Sequence, residues 1–334
     1  MKTLYQPHRF IHGLSLAICG LLLSANLSSP ALAGGITWKY QTTYNSSTGV
    51  PSGLTNQSTF GSLASKAIAL LPEGVNNSNK GLLTNDLGGN VYLLADANIK
   101  LVFIYENAGY QNAIGYFTFP SASLSGVAAK TTPISDTIVF PNFSSTNSGG
   151  YLRNGDTVNL GTFKAGQAIG ITLVANGWAN GNGYVNPNES VNNIFHTITE
   201  LNPETPSTSN LQSHTVLLSD TNTNMLVVGI EDLNRQPPSS VNPYGYSPDN
   251  DFNDAVVGIQ VTPLDGGTLS STVDLSHVYT INGDPPSMVT TPTTPLPSYT
   301  ATGQTGPVSW REVCLSNSVN DPIKAAKAAA KIAP

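Results

Sequence analysis

Between Ile99 and Pro263 the chain repeats one pattern: a short run of alternating, β-branched or aromatic residues, then a cluster of Gly, Asn, Ser or Pro. Runs of about 4–8 residues with period-two alternation form strands, and the clusters between them form turns. The expected strands are 36–44, 99–106, 115–119, 136–143, 156–163, 168–176, 194–201, 214–219, 225–232 and 254–263. One helix is expected over 62–71, where Leu63, Ala67, Leu70 and Leu71 fall at helical spacing and Pro72-Glu73-Gly74 stops the run. Many short strands joined by turns predict an all-β fold, an antiparallel β-sandwich with a jelly-roll arrangement as one version and a β-barrel as the alternative. No motif recurs at a fixed period, which argues against a solenoid or propeller.

The N-terminus reads as an export signal. Lys2 and Arg9 precede the apolar stretch LSLAICGLLL (14–23), and Ala31-Leu32-Ala33 forms an A-x-A cleavage site. The stretch is shorter than the about 20 apolar residues a membrane span needs, so residues 1–33 are expected to be a cleavable signal peptide. No later segment of the sequence resembles a transmembrane run. The mature protein is expected to be secreted or at the cell surface, with the periplasm as the alternative. Removing 1–33 takes away Lys2 and Arg9 and no acid, so 14 basic residues become 12 against 20 acidic, a net of −8. That balance disfavours nucleic acid and anionic membranes as partners. The mature chain keeps one cysteine, Cys314, so no internal disulfide is available to it.

The domain plan is a β-sandwich over 34–264 followed by an extension over 265–334. Residues 284–307 are rich in Pro and Thr and read as a linker, and 321–331 is rich in Ala and Lys and reads as a short helix bearing Lys324, Lys327 and Lys331.

Chemistry concentrates in Pro248-Asp249-Asn250-Asp251-Phe252-Asn253-Asp254. Like charges this dense repel one another, and a hard cation with six to eight oxygen ligands gives a folded chain a reason to hold them together. The opening matches the start of an EF-hand loop, but Asp254 stands where the turn glycine belongs and Gln260 where the bidentate Glu belongs, so calcium is expected without an EF-hand. Upstream, the apolar run 225–230 ends in Glu231-Asp232. If it pairs with 255–261, one of these acids reaches the loop, and only one, since strand neighbours point to opposite faces. Arg235 is an alternative partner for them. Glu106, Asn107 and Asn112 form a second constellation, read as a polar network tying a hairpin, with a set of oxygen ligands as the alternative. Trp178 and Tyr184 are read as a packed loop plug, with an exposed sugar-stacking pair as the alternative. No G-x-S-x-G elbow occurs, and His196, His214 and His277 lack zinc spacing.

The runs LVVGIEDLNR and SPDNDFNDAVVGIQVTP, with AGQAIGITLVANGW (165–178) and FIYENAGYQNAIGYFTF (103–119), resemble the bacterial family called domain of unknown function 4114. The resemblance covers roughly 62–263 of this sequence, and its marks are a G-x-E-D strand end and a D-N-D-[FY]-N-D motif leading into a last strand. Carried over by position, it implies an acidic set of Glu231, Asp232, Asp249, Asp251, Asn253 and Asp254. That set suits calcium or, in a second reading, acid/base hydrolysis of the glycosidase type by Glu231 and Asp251. The expectation is a non-enzymatic, calcium-binding surface module whose ligand is an extracellular carbohydrate or protein.

Overall fold

The computed structural model describes residues 36–282, except 58–59, 79–81, 84–88, 121–135, 179–181, 188, 190, 205–210 and 237–247. The expected signal peptide, the Pro/Thr-rich segment, Cys314 and the Lys-bearing tail lie outside the described residues. In chain order the elements are β1 (Lys39–Tyr40), β2 (Thr55–Asn56), α1 (Gly61–Leu70), β3 (Val91–Tyr92), β4 (Ala97–Tyr105), β5 (Ala113–Pro120), β6 (Thr137–Phe140) and β7 (Asp156–Phe163). They continue with β8 (Gln167–Val174), β9 (Ile194–His196), β10 (Thr215–Asp220), β11 (Met225–Ile230), β12 (Ala255–Pro263), α2 (Leu269–Thr272) and β13 (Tyr279–Thr280).

Two sheets form a sandwich. The smaller runs β1-β6-β5-β8-β3, with β9 also on β8; the larger runs β13-β10-β11-β12-β4-β7-β2. Among the strand pairs, β1–β6 and β10–β13 are parallel and the rest antiparallel, so the expected antiparallel sandwich carries two parallel pairs at its margins. The expected strand over 194–201 stops at His196 and gives way to a 3-10 turn over Thr199–Leu201. Among the described residues no helix is long and apolar enough to cross a membrane.

Period-two alternation sorts the larger sheet onto two cores. Ile99, Leu101 and Phe103 of β4, Leu226, Val228 and Ile230 of β11, and Ala255, Val257 and Ile259 of β12 face the smaller sheet and form the main core. The intervening Val102, Ile104, Met225, Val227 and Val256 face outward into a second core, which Leu63, Ala64, Ala67 and Leu71 of α1 and the residue after it cover. A sheet buried on both faces reads as a nearly continuous apolar run, as 225–230 does. Pro72 ends α1, because the residue before a proline is driven out of the helical region; Leu71 has φ −120° and ψ 67°.

Candidate metal centre

Register brings the acids together. Ile230 pairs with Ala255, and Val256 pairs with Tyr105. The residues just beyond, Glu231, Asp254 and Glu106, therefore emerge at one end of the larger sheet. The hairpin continues past its strands: Glu231 N–H donates to His214 O at 3.0 Å, and Asp232 N–H donates to Asp254 Oδ2 at 2.9 Å.

The loop before β12 is shaped by its own side chains. Asp251 Oδ1 accepts from Asn253 N–H at 3.0 Å, and Asp249 Oδ1 accepts from Asp251 N–H at 3.4 Å. These are Asx turns, the local bonding that Asp favours outside regular structure. Asn250 and Phe252 take φ of 61° and 63°. A bulky residue in that region costs about 1–3 kcal/mol. Phe252 offsets this by burying its ring completely in the core under α1, worth about 1.5–3 kcal/mol, with the Arg235 guanidinium 5.0 Å from the ring centre.

Two groups of carboxylates result, sharing Asp251. Oxygens of Glu231, Asp251 and Asp254 lie within 4.8 Å of one another, as do oxygens of Glu73, Asp249 and Asp251. In the first group Glu231 and Asp251 are each only 1% exposed, and Glu231 Oε2 has no hydrogen-bond partner. Asn253 Oδ1 is likewise buried and unpartnered. Unit charges at such distances repel by about 4 kcal/mol per pair at an effective dielectric near 20, so three ionised carboxylates rival the entire stability of a domain, about 5–15 kcal/mol. The site responds by resisting ionisation. Burial pushes the Glu231 carboxyl well above the usual carboxylate range, and Asp232, Asp249 and Asp251 add to the rise while Arg235 opposes it. Asp254 rises likewise, through burial and then Asp232 and Glu231. Burial also lifts Asp251 to about 6 and Asp232 to about 7.

The six acidic-set residues divide. Glu231, Asp251 and Asp254 converge, and Asp249 joins Asp251 from the exposed side. Asn253 lies within the loop, its Nδ2 donating to Asp251 Oδ2 at 3.0 Å and to Leu71 O at 3.1 Å. Asp232 also lies close to the loop acids, its charge adding to the rise of Asp254, while its Oδ2 accepts from Asn112 Nδ2 at 2.7 Å. The expectation that only one of the pair reaches the loop presumed a strand, and β11 has ended at Ile230. Arg235 places its donors on Asn250 Oδ1 (2.6 Å), Ser213 O (2.6 Å) and Ser78 Oγ (2.8 Å). Among the described residues no salt bridge joins it to Glu231 or Asp232.

The second constellation is a network. Glu106 Oε1 accepts from Ala108 N–H and Oε2 from Ser145 N–H, both at 3.1 Å; Asn112 Oδ1 accepts from Asn176 N–H at 2.9 Å. It is continuous with the acids through Asn112 to Asp232, and through Asn107 Nδ2, which donates to Glu73 Oε2 at 2.5 Å. Trp178 is buried against Tyr44, an edge-on ring pair at 6.0 Å, so it plugs its loop and offers no sugar platform. Two participants escaped the sequence. Glu73 reads only as part of a helix stop, and nothing in the sequence singles out Glu204. Burial opposes the Glu204 charge, but His214 Nε2 at 2.8 Å and Arg235 N–H at 2.9 Å outweigh it and hold its carboxyl below the usual range.

Residues 163–262 match a family model described as a domain of unknown function, DUF4114. No curated protein and no solved structure matches the chain.

Proposed function

We propose, for a chain whose residues 163–262 are a DUF4114 domain, that it is an exported β-sandwich protein which binds a divalent cation, calcium, and acts outside the cytoplasm as a surface or extracellular binding module. One observation carries the cation reading: Glu231 Oε2 is buried without a partner inside a carboxylate group whose oxygens lie within 4.8 Å of one another. A cation supplies the missing partner and cancels the repulsion at once. Glu231, Asp251 and Asp254 would hold it, with Asn253 Oδ1 as a neutral donor. An all-oxygen donor set with no thiolate or imidazole suits a hard cation, and calcium tolerates the irregular geometry of a loop better than magnesium does. Export rests on the sequence of residues 1–33. Extracellular calcium modules work with Kd on the order of 10⁻⁴–10⁻³ M, which calcium outside cells satisfies.

A glycosidase-like reading with Glu231 and Asp251 as acid and base has less support. Paired catalytic carboxyls stand about 5–10 Å apart across a cleft, whereas these converge and are both buried. The test is thermal melting of the mature protein in calcium and in EGTA. Chelation lowers the melting temperature, and Asp251→Ala removes the difference. A melting temperature indifferent to EGTA at micromolar protein would defeat the cation reading.

A further inference from the structure

The acidic loop grips the end of α1 and the turn after it. Gly74 N–H donates to Asp251 Oδ2 at 2.9 Å, Asn77 N–H to Asn250 O at 2.8 Å, Asn77 Nδ2 to Asp251 O at 2.8 Å, and Asn253 Nδ2 to Leu71 O at 3.1 Å. Between these bonds Phe252 buries its ring in the apolar cluster that also holds Leu63 and Leu71. Gly229 shows how tightly strand, loop and helix end meet: a Cβ there would lie 2.5 Å from Phe252 O and 2.6 Å from Leu71 Cδ1. At its other end α1 has no side-chain cap. Lys66 ties its exposed side, 2.6 Å from Asn282 Oδ1 and 3.9 Å from Asp220.

We infer that cation occupancy of the 249–254 loop latches α1 onto the larger sheet, and that losing the ion releases the helix while the sandwich stays folded. The inference rests on the cation reading above. Without the ion, repulsion among Glu231, Asp251 and Asp254 acts on Asp251, whose Oδ2 is the acceptor for Gly74. Phe252 sits at a φ that bulky residues hold only when their surroundings over-determine it. Once the loop relaxes, that strain favours withdrawal of the ring, and α1 loses both its apolar seat and its hydrogen bonds. The strands stay, because their ladders and the main core do not pass through the loop. Val102, Ile104, Val216 and Val227 then face solvent, so an apolar sheet face is bared at low calcium.

Hydrogen exchange of the mature protein in excess calcium and in excess EGTA tests this, with terbium luminescence reporting cation binding on the same preparation. Amides of 61–71 are expected to exchange at least ~10-fold faster in EGTA, while those central to β4 and β12 keep their protection, as expected of a separate cooperative unit. Terbium binding with α1 exchange unchanged overturns the latch and leaves the cation reading standing. Absence of terbium binding overturns the cation reading and the latch with it. Loss of protection across β4 and β12 as well overturns the latch, since the ion would then hold the whole fold. In calcium, Phe252→Ala is expected to free α1 while terbium still binds. Continued protection of α1 in that variant overturns the part assigned to Phe252, and the wild-type comparison carries the test if the variant does not fold.

Discussion

Glu106 and Glu231 are near twins in sequence. Each follows directly on a buried strand, β4 or β11, at the same end of the same sheet, and each is almost wholly buried. Their surroundings differ in kind. Burial raises the Glu106 carboxyl above its ordinary range too, but both its oxygens are met by main-chain N–H groups that oppose the rise. Glu231 Oε2 has no donor and faces Asp251 and Asp254. A buried carboxylate among donors is a structural anchor. A buried carboxylate among carboxylates is half of a binding site.

The largest effect that separates the two comes from Glu106→Ala. It strips the acceptor from two N–H groups at about 1–3 kcal/mol each, so a loss of about 2–6 kcal/mol is expected, equal in calcium and in EGTA. A loss that depended on calcium would make Glu106 part of the cation site and erase the contrast. Next comes calcium removal from the wild type, worth about 2.7 kcal/mol when calcium stands 100-fold above Kd, or several degrees in melting temperature for a domain of this size. Glu231→Gln is expected to change sign with conditions. In EGTA it stabilises, because the amide removes a carboxyl that burial and the neighbouring acids both disfavour, and in calcium it destabilises. Equal destabilisation in both would make Glu231 a second anchor.

A further test is the pH slope. Glu231, Asp232, Asp251 and Asp254 all have carboxyls raised above their unfolded values. For such groups the folded state binds more protons, so their contribution to stability is full below the unfolded value and is lost as pH rises through the folded one. In EGTA the melting temperature should therefore fall between about pH 5 and pH 8, spanning the values near 6 for Asp251 and near 7 for Asp232. Calcium affinity should rise over the same window, widening the gap between loaded and chelated protein. A chelated protein that grows more stable with pH in that window would contradict the repulsion assigned to the cluster. Glu204, with its carboxyl lowered, contributes in the opposite sense, losing its stabilisation only as pH falls below the ordinary carboxylate range.

The long strands were legible because alternation or a continuous apolar run extends over six residues or more. The span 156–163 is the expected one, and β4, β5, β11 and β12 lie within two residues of expectation at each end. β2, β3 and β13 have two residues each, too few for any period to register, and tertiary pairing alone makes them strands. The acids of the site were legible from local density, and the β11–β12 hairpin that joins them followed from the matched apolar runs. What escaped was distant in sequence. Asn112 reaches Asp232 across 120 positions, and Gly74 reaches Asp251 across 177. Nothing in Pro72-Glu73-Gly74 distinguishes a helix stop from the wall of a binding site. Gly229 is intermediate: its place in the G-x-E-D run is visible in the sequence, but the reason, room for Phe252 and Leu71, needs three segments in space.

The shortness of the outermost strands also bears on behaviour in a crowded medium. The larger sheet ends in β13 and β2 and the smaller in β1 on one side and β3 with β9 on the other, each two or three residues long. An open strand edge is a template on which another chain can add a strand, and the risk grows with the length of the unpaired ladder. Here the adhesive interior strands are flanked by stubs too brief to seed such growth. The outermost strands thus give a sheet rich in valine and isoleucine little template of their own, and the longer edge among the described strands is the part of β7 that β2 leaves uncovered, residues 158–163.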